Sequence, residues 1–153
     1  MSPDFKELLS TFNDQGVDYL VVGAHALAAH GHVRATKDLD VWVKPSHENS
    51  AKVLRALAEF GAPLQDLSID DLSHPGLIFQ IGVPPLRIDV ITAIDGIEFD
   101  EAWPNRMVAN LGGLAVPVLS RLDLIANKKA SGRLQDLADV ERLEAMDRDK
   151  RKI

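Results

Sequence analysis

The 153-residue chain contains no cysteine. A disulfide framework and a thiolate metal site are thereby excluded. It also lacks any apolar run approaching the roughly 20 residues that span a bilayer, so no membrane-crossing helix is expected. The opening Met-Ser-Pro-Asp-Phe-Lys has no charged-then-apolar secretory pattern, and a cytoplasmic setting is expected. Nor is there an excess of positive charge. A net charge of −6 argues against a general nucleic-acid binder, although a local basic groove can sit on an acidic protein. Internal repeats and low-complexity segments are missing too. With 46% hydrophobic residues, the composition suits one ordinary domain with a real core.

The chain is organised around residues 19–43, YLVVGAHALAAHGHVRATKDLDVWV. Residues 19–22 form a short apolar, β-branched run ending at Gly23, which predicts a buried strand. Residues 24–30 are alanine-rich with no β-branched member, which predicts a helix, and Gly31 follows as a left-handed C-cap. Residues 38–43 alternate with period two, so that Leu39, Val41 and Val43 share one face while Asp38, Asp40 and Trp42 share the other. Two carboxylates on one strand face repel each other and lose hydration on burial. A hard divalent cation would account for them, since Mg²⁺ takes carboxylate and phosphate oxygens. An exposed edge strand with two solvated aspartates would account for them as well. Upstream, the glycine turn opens a helix whose first N–H groups and dipole favour an anion, and Gly23 leaves room for a phosphate to approach. A phosphate turn followed by paired carboxylates brings together what phosphoryl transfer needs.

On these residues the chain resembles the nucleotidyltransferase superfamily, the polymerase-beta-like fold. The family signature is a Gly-Ser or Gly-Gly turn opening a helix, then Asp-x-Asp on the next strand, then a third carboxylate on a later strand. Within it, the string looks like the small bacterial AbiEii-like or minimal nucleotidyltransferases, because His30, Gly31, Arg34, Thr36, Asp38 and Asp40 fit their His-Gly and Arg-x-Thr-x-Asp-x-Asp pattern. One residue departs: Ala24 stands where the family has Ser or Gly, exposing an N–H but offering no hydroxyl.

The other elements are read from local pattern. Residues 3–15 read as an amphipathic helix capped by Ser2, with Phe5, Leu8, Leu9 and Phe12 toward the core. Residues 47–60 read as a helix capped by Ser46 without a capping box, with Ala51, Leu54, Leu57, Ala58 and Phe60 on or near one face, and Gly61 closes it. A long loop spans residues 62–76, with one helical turn expected at 68–72 and His74 in a turn. Residues 77–81 and 86–92 read as strands. Asp89 is a lone carboxylate in the second, which resembles the family's third metal-binding carboxylate; a salt bridge to Arg87 is the other reading. Residues 98–103 read as irregular. Gly112-Gly113 joins strands 107–111 and 114–118, and Pro117 is expected to put the latter on an edge. Ser120 caps a helix over residues 121–131, a last helix covers 134–146, and the charged tail 147–153 reads as frayed. The segment LIANKKASGRLQDLADVERL resembles the family's C-terminal part. By that resemblance Lys128 contacts nucleotide phosphate, while Arg133, Asp136 and Asp139 hold the helix pair or line the site.

The expected architecture is a single α/β (α+β) domain over residues 1–153. Its core is about residues 17–119, a mixed sheet with flanking helices mainly on one face, and its C-terminal helix pair is about 120–146. The resemblance implies transfer of a nucleoside monophosphate from a nucleoside triphosphate to a hydroxyl. Asp38, Asp40 and Asp89 would be the catalytic, metal-binding carboxylates for Mg²⁺ or Mn²⁺. Gly23, Ala24, Arg34, Thr36 and Lys128 would bind the nucleotide. The acceptor would be a toxin protein in a toxin–antitoxin system, a small molecule, or tRNA, which the charge does not favour. A catalytically inactive, antitoxin-like binding module on the same fold is the alternative, which Ala24 favours and the three aspartates oppose.

Overall fold

The computed structural model describes residues 1–33, 35–64, 66–82 and 85–151, the side chains of Lys150 and Arg151 excepted. Six strands form one mixed sheet. They are β1 (Tyr19–Val22), β2 (Asp38–Val43), β3 (Ile78–Ile81), β4 (Arg87–Ile91), β5 (Met107–Leu111) and β6 (Leu114–Val118), in the spatial order β3-β4-β2-β1-β6-β5. β1 runs antiparallel to β2, β2 parallel to β4, and β1 parallel to β6. The Asp-x-Asp strand therefore lies inside the sheet, which removes the edge-strand reading of Asp38 and Asp40.

The helices are α1 (Pro3–Asp14), α2 (Gly23–Ala29), α3 (His47–Phe60), α4 (Ile69–Leu72), α5 (Phe99–Ala102), α6 (Arg121–Ser131) and α7 (Leu134–Arg151). Ser2, Ser46 and Ser120 cap α1, α3 and α6 through their hydroxyls, satisfying N–H groups that the helices leave unpaired. Phe12 of α1 meets Tyr19 edge-on, on the sheet face carrying Val41 and Val43, and α3 packs beside α1. On the aspartate face Trp42 is buried against Phe99 of α5, and α6 and α7 stand beyond. Helices thus cover both faces rather than mainly one. No described helix is long and apolar enough to cross a membrane.

Other local expectations change for identifiable reasons. Pro117 lies in β6, between β1 and β5 rather than on an edge. Leu119 donates its N–H to Val21 O, so the N–H that Pro117 lacks is the preceding rung toward β1, where no pairing is registered. The buried stripe of α3 is Asn49, Ser50, Val53, Ala56 and Leu57, with Ala58 exposed. The stripe is rotated because the Asn49 carboxamide is drawn inward, accepting from Asp18 N and donating to Asp18 O and Lys44 O. Residues 98–103 are not irregular: Glu98 and Glu101 form a capping box for α5, and Trp103 stacks on Phe99. The tail also differs. α7 continues to Arg151, with Asp147 paired to Arg121 and Met146 against Gly31.

Candidate active site

Parallel pairing of β2 with β4 places Asp40 directly beside Asp89, and Asp38 beside Arg87. All four belong to the face on which Val22 ends β1, since Val22 is the register partner of Asp40. The chain then turns at Gly23 with φ of +69°, where a Cβ would collide with Asp40 Oδ2. Glycine is needed there both for the left-handed backbone and for space.

The carboxylates are not equivalent. Asp89 is buried, and Asp38 is 42% exposed in its side chain. Asp40 is pushed up to about 6, first by burial and then by Asp89 and Asp38, with Arg87 partly offsetting them. Arg87 bridges the other two: its Nη2 lies 3.3 Å from Asp38 Oδ2, and its Nε lies 3.1 Å from Asp89 Oδ1. The second contact is off the hydrogen-bond line, which leaves Asp89 Oδ1 and Arg87 Nε buried without a hydrogen-bond partner. The salt bridge allowed as an alternative for Asp89 is therefore present. As the side chains stand, no three of the described histidine, aspartate or glutamate residues converge to hold an ion. The residue chemistry nevertheless fits a hard divalent cation: oxygen donors alone, two facing carboxylates whose repulsion raises Asp40, and an orphaned buried oxygen on Asp89.

Beside Asp40 opens a cavity of about 440 Å³. Gly23, Val22 and Asp40 form one wall, Ile78, Ile91, Ala93 and Ile94 an apolar one, and Asp95, Asn127, Lys128, Ser131, Arg133 and Asp136 the third. The last group comes from the turn after β4 and from the α6–α7 junction. Lys128 is 8% exposed in its side chain, with Nζ 3.2 Å from Asp136 Oδ1 and 3.3 Å from Asp139 Oδ2. Asp139 also meets His32 Nε2 at 3.3 Å, tying α7 to the loop that enters β2. Burial pushes the Asp136 carboxyl up, but hydrogen bonds from Arg133 and Lys128 outweigh it and hold it below the usual range.

Of the residues singled out in the sequence, Asp38, Asp40, Asp89 and Gly23 come together, and Lys128 faces the same cavity. Ala24 sits in the first turn of α2. Thr36 braces the backbone instead, accepting from Asp38 N and donating to Asp38 O, each at 3.1 Å. Arg34 lies outside the described residues. His74 bonds Asp70 O in its turn. The sequence reading missed Arg87 as a bridge between two carboxylates, and missed Asp95, Asn127 and Ser131. The spacing of Asn127 and Ser131, four apart on a helix beside Lys128, was the available signal.

A family model described as nucleotidyltransferase of unknown function (DUF6036) matches residues 3–148. The chain belongs to this nucleotidyltransferase family. No curated protein matches it in sequence. Solved structures share its fold. The antibiotic-resistance factor ANT(2'')-Ia in complex with adenylyl-2''-tobramycin is 17% identical with a TM-score of 0.60, over 94% of this chain and 86% of that one. The lincosamide antibiotic adenylyltransferase LnuA, bound to lincomycin, is 13% identical with a TM-score of 0.59, over 94% and 96%. A Thermotoga maritima protein assigned by inference as a nucleotidyltransferase is 15% identical with a TM-score of 0.57, over 97% and 91%. The expected fold class, a mixed α/β nucleotidyltransferase domain, holds for this family member.

Proposed function

We propose that this chain transfers a nucleoside monophosphate from a nucleoside triphosphate to a hydroxyl group. The observation that carries this reading is the register pairing of Asp40 with Asp89, with Asp40 against Gly23 and lining the cavity. The acceptor oxygen bonds to the α-phosphorus as the bond to the bridging oxygen breaks. Pyrophosphate departs with the electron pair, and the acceptor proton passes to Asp89 or to water. Asp40 and Asp89 would hold the divalent ion, Mg²⁺ or Mn²⁺, with Asp38 joining once Arg87 turns aside. When bound, such ions stabilise negative charge on the attacking and leaving oxygens. The Gly23-Ala24 backbone and Lys128 border the space for the phosphates.

For the acceptor we favour a hydroxylated small molecule. LnuA, matched over 96% of its length, holds lincomycin on a chain of similar extent. The His30-Gly31 and Arg34-to-Asp40 pattern supports an AbiEii-like cytoplasmic protein with a toxin partner, in which case that protein is the acceptor. A second reading, a binding module without catalysis, draws support from Arg87, whose guanidinium already pairs with both Asp38 and Asp89.

A thermal-shift titration with each nucleoside triphosphate, with and without Mg²⁺, tests the transferase. A ligand at 100 times its dissociation constant adds about 2.7 kcal/mol, or roughly 5–10 °C at this size. A Mg²⁺-dependent shift, lost in Asp38→Asn/Asp40→Asn, is expected. No shift with any of the four at millimolar concentration would leave the binding module.

A further inference from the structure

The cavity beside Asp40 presents a charge problem to a triphosphate. Three of its lining side chains are carboxylates, Asp40, Asp95 and Asp136, and two are cations, Lys128 and Arg133. A triphosphate brings about four negative charges, so the cations decide where its tail can rest. Lys128 is poorly placed to supply that charge. It is buried, and its ammonium is shared between Asp136 and Asp139. Arg133 differs in each respect. It follows the α6 C-cap Gly132, and its side chain is 78% exposed. One edge is anchored, Nε donating to Asp136 Oδ2 at 2.7 Å with Nη2 3.4 Å from Oδ1. Nη1 takes no part in that contact. The guanidinium is thus held in orientation at the cavity while keeping donors for an anion. Asp136, then Asp95 and Asp40, reinforce its positive charge, which places those carboxylates within its electrostatic reach.

We infer that Arg133 is the residue that grips the β- and γ-phosphates of the donor nucleotide, with Lys128 acting through Asp136 to position it. This rests on the transferase reading above. A planar guanidinium, locked on one edge by a carboxylate, suits bidentate recognition of phosphate on the other. It would also receive the charge that develops on pyrophosphate as the α-phosphorus bond breaks.

The test compares nucleoside tri- and monophosphates, in all four bases with Mg²⁺, and inorganic pyrophosphate. Wild type, Arg133→Gln, Arg133→Lys and Lys128→Met are titrated by calorimetry, after each variant's melting curve has been recorded. The expected result is that Arg133→Gln weakens triphosphate and pyrophosphate about tenfold or more, leaves monophosphate binding unchanged, and is partly rescued by Arg133→Lys. Lys128→Met should lower the melting temperature, because it removes the buried cation that Asp136 and Asp139 share. If Arg133→Gln keeps the wild-type ratio of triphosphate to monophosphate affinity, the inference fails while the transferase stands. If Lys128→Met alone collapses that ratio in a folded protein, Lys128 is the phosphate contact. If the wild type binds no nucleotide, the transferase reading and this inference fall together.

Discussion

Asp40 carries the clearest conflict between stability and chemistry at the scale of single residues. Its folded pKa of about 6 stands above the 3.8 of a free aspartate, so the folded state binds the proton more tightly. Stability from this group is therefore greatest below about pH 4, declines as pH rises through the window to about 6, and is lost above it. At neutral pH the carboxylate costs roughly 1–3 kcal/mol. Asp40→Asn should recover that much at pH 7.5 in a urea titration and change little at pH 4. Loss of stability at pH 7.5 would mean that the charged form makes a favourable contact instead. Gly23 is constrained from the opposite side, by shape. Gly23→Ala should destabilise by at least about 1–3 kcal/mol, from the left-handed backbone alone, before the collision with Asp40 is counted. A chemical-denaturation midpoint equal to wild type would show that the turn relaxes freely. These residues were legible in the sequence because each breaks a local rule: a glycine ending an apolar strand, and aspartates where strands disfavour them. Arg87 was legible in part, since alternation puts it on the face of Asp89. Its reach to Asp38 was not, because that contact crosses between strands 49 residues apart in the chain.

Among the elements, the α6–α7 pair shows how far pattern carries. The start and end of α6 follow from Ser120 and Gly132, and the sequence expectation matches the observed span. The end of α7 did not follow, because residues 147–151 have no apolar periodicity to announce a helix. A long-range partner holds the first of them, Arg121 on α6 pairing with Asp147, next to Met146 against the Gly31 turn. Besides the apolar Leu124, Ile125, Val140 and Leu143, the two helices bury an ionic set, Lys128, Asp136 and Asp139. Removing Asp139 takes away one of the two carboxylates that Lys128 holds and leaves Asp136 as its counter-charge, which costs about 1–3 kcal/mol, the range for a charged buried hydrogen bond. Asp139→Ala should therefore lower stability by that amount, measured by urea denaturation, and should also release His32. A loss below about 1 kcal/mol would mean that water or a neighbouring group takes over the aspartate's role, and the ionic set would then not be what fixes α7 to the sheet.

For the whole molecule, the fold class and most strand limits were readable, and the sheet order was not. Alternation identifies strands one at a time, whereas register depends on which strands meet after long connections. The pairing of Asp40 with Asp89 comes from β2 lying parallel to β4 across α3, α4 and β3. The same topology predicts a gradient of local stability. β1 and β2 have neighbours on both sides and consist mostly of buried residues, while β5 is an edge strand with alternating exposure and β3 is the opposite edge. Opening free energies in a domain run from near zero at frayed elements to the global value, about 5–15 kcal/mol. Native-state hydrogen exchange should find amides of β1 and β2 opening only with global unfolding, and those of β5 and β3 opening several kcal/mol earlier. The consequence for the site is direct. Asp38 and Asp40 would then stand on one of the two strands least able to move, with Asp89 on β4, the internal strand paired beside it, so adjustment to a nucleotide falls to side chains such as Arg87 and to the α6–α7 wall. Early exchange in β2 would reverse that, and would make the carboxylate platform itself the mobile part.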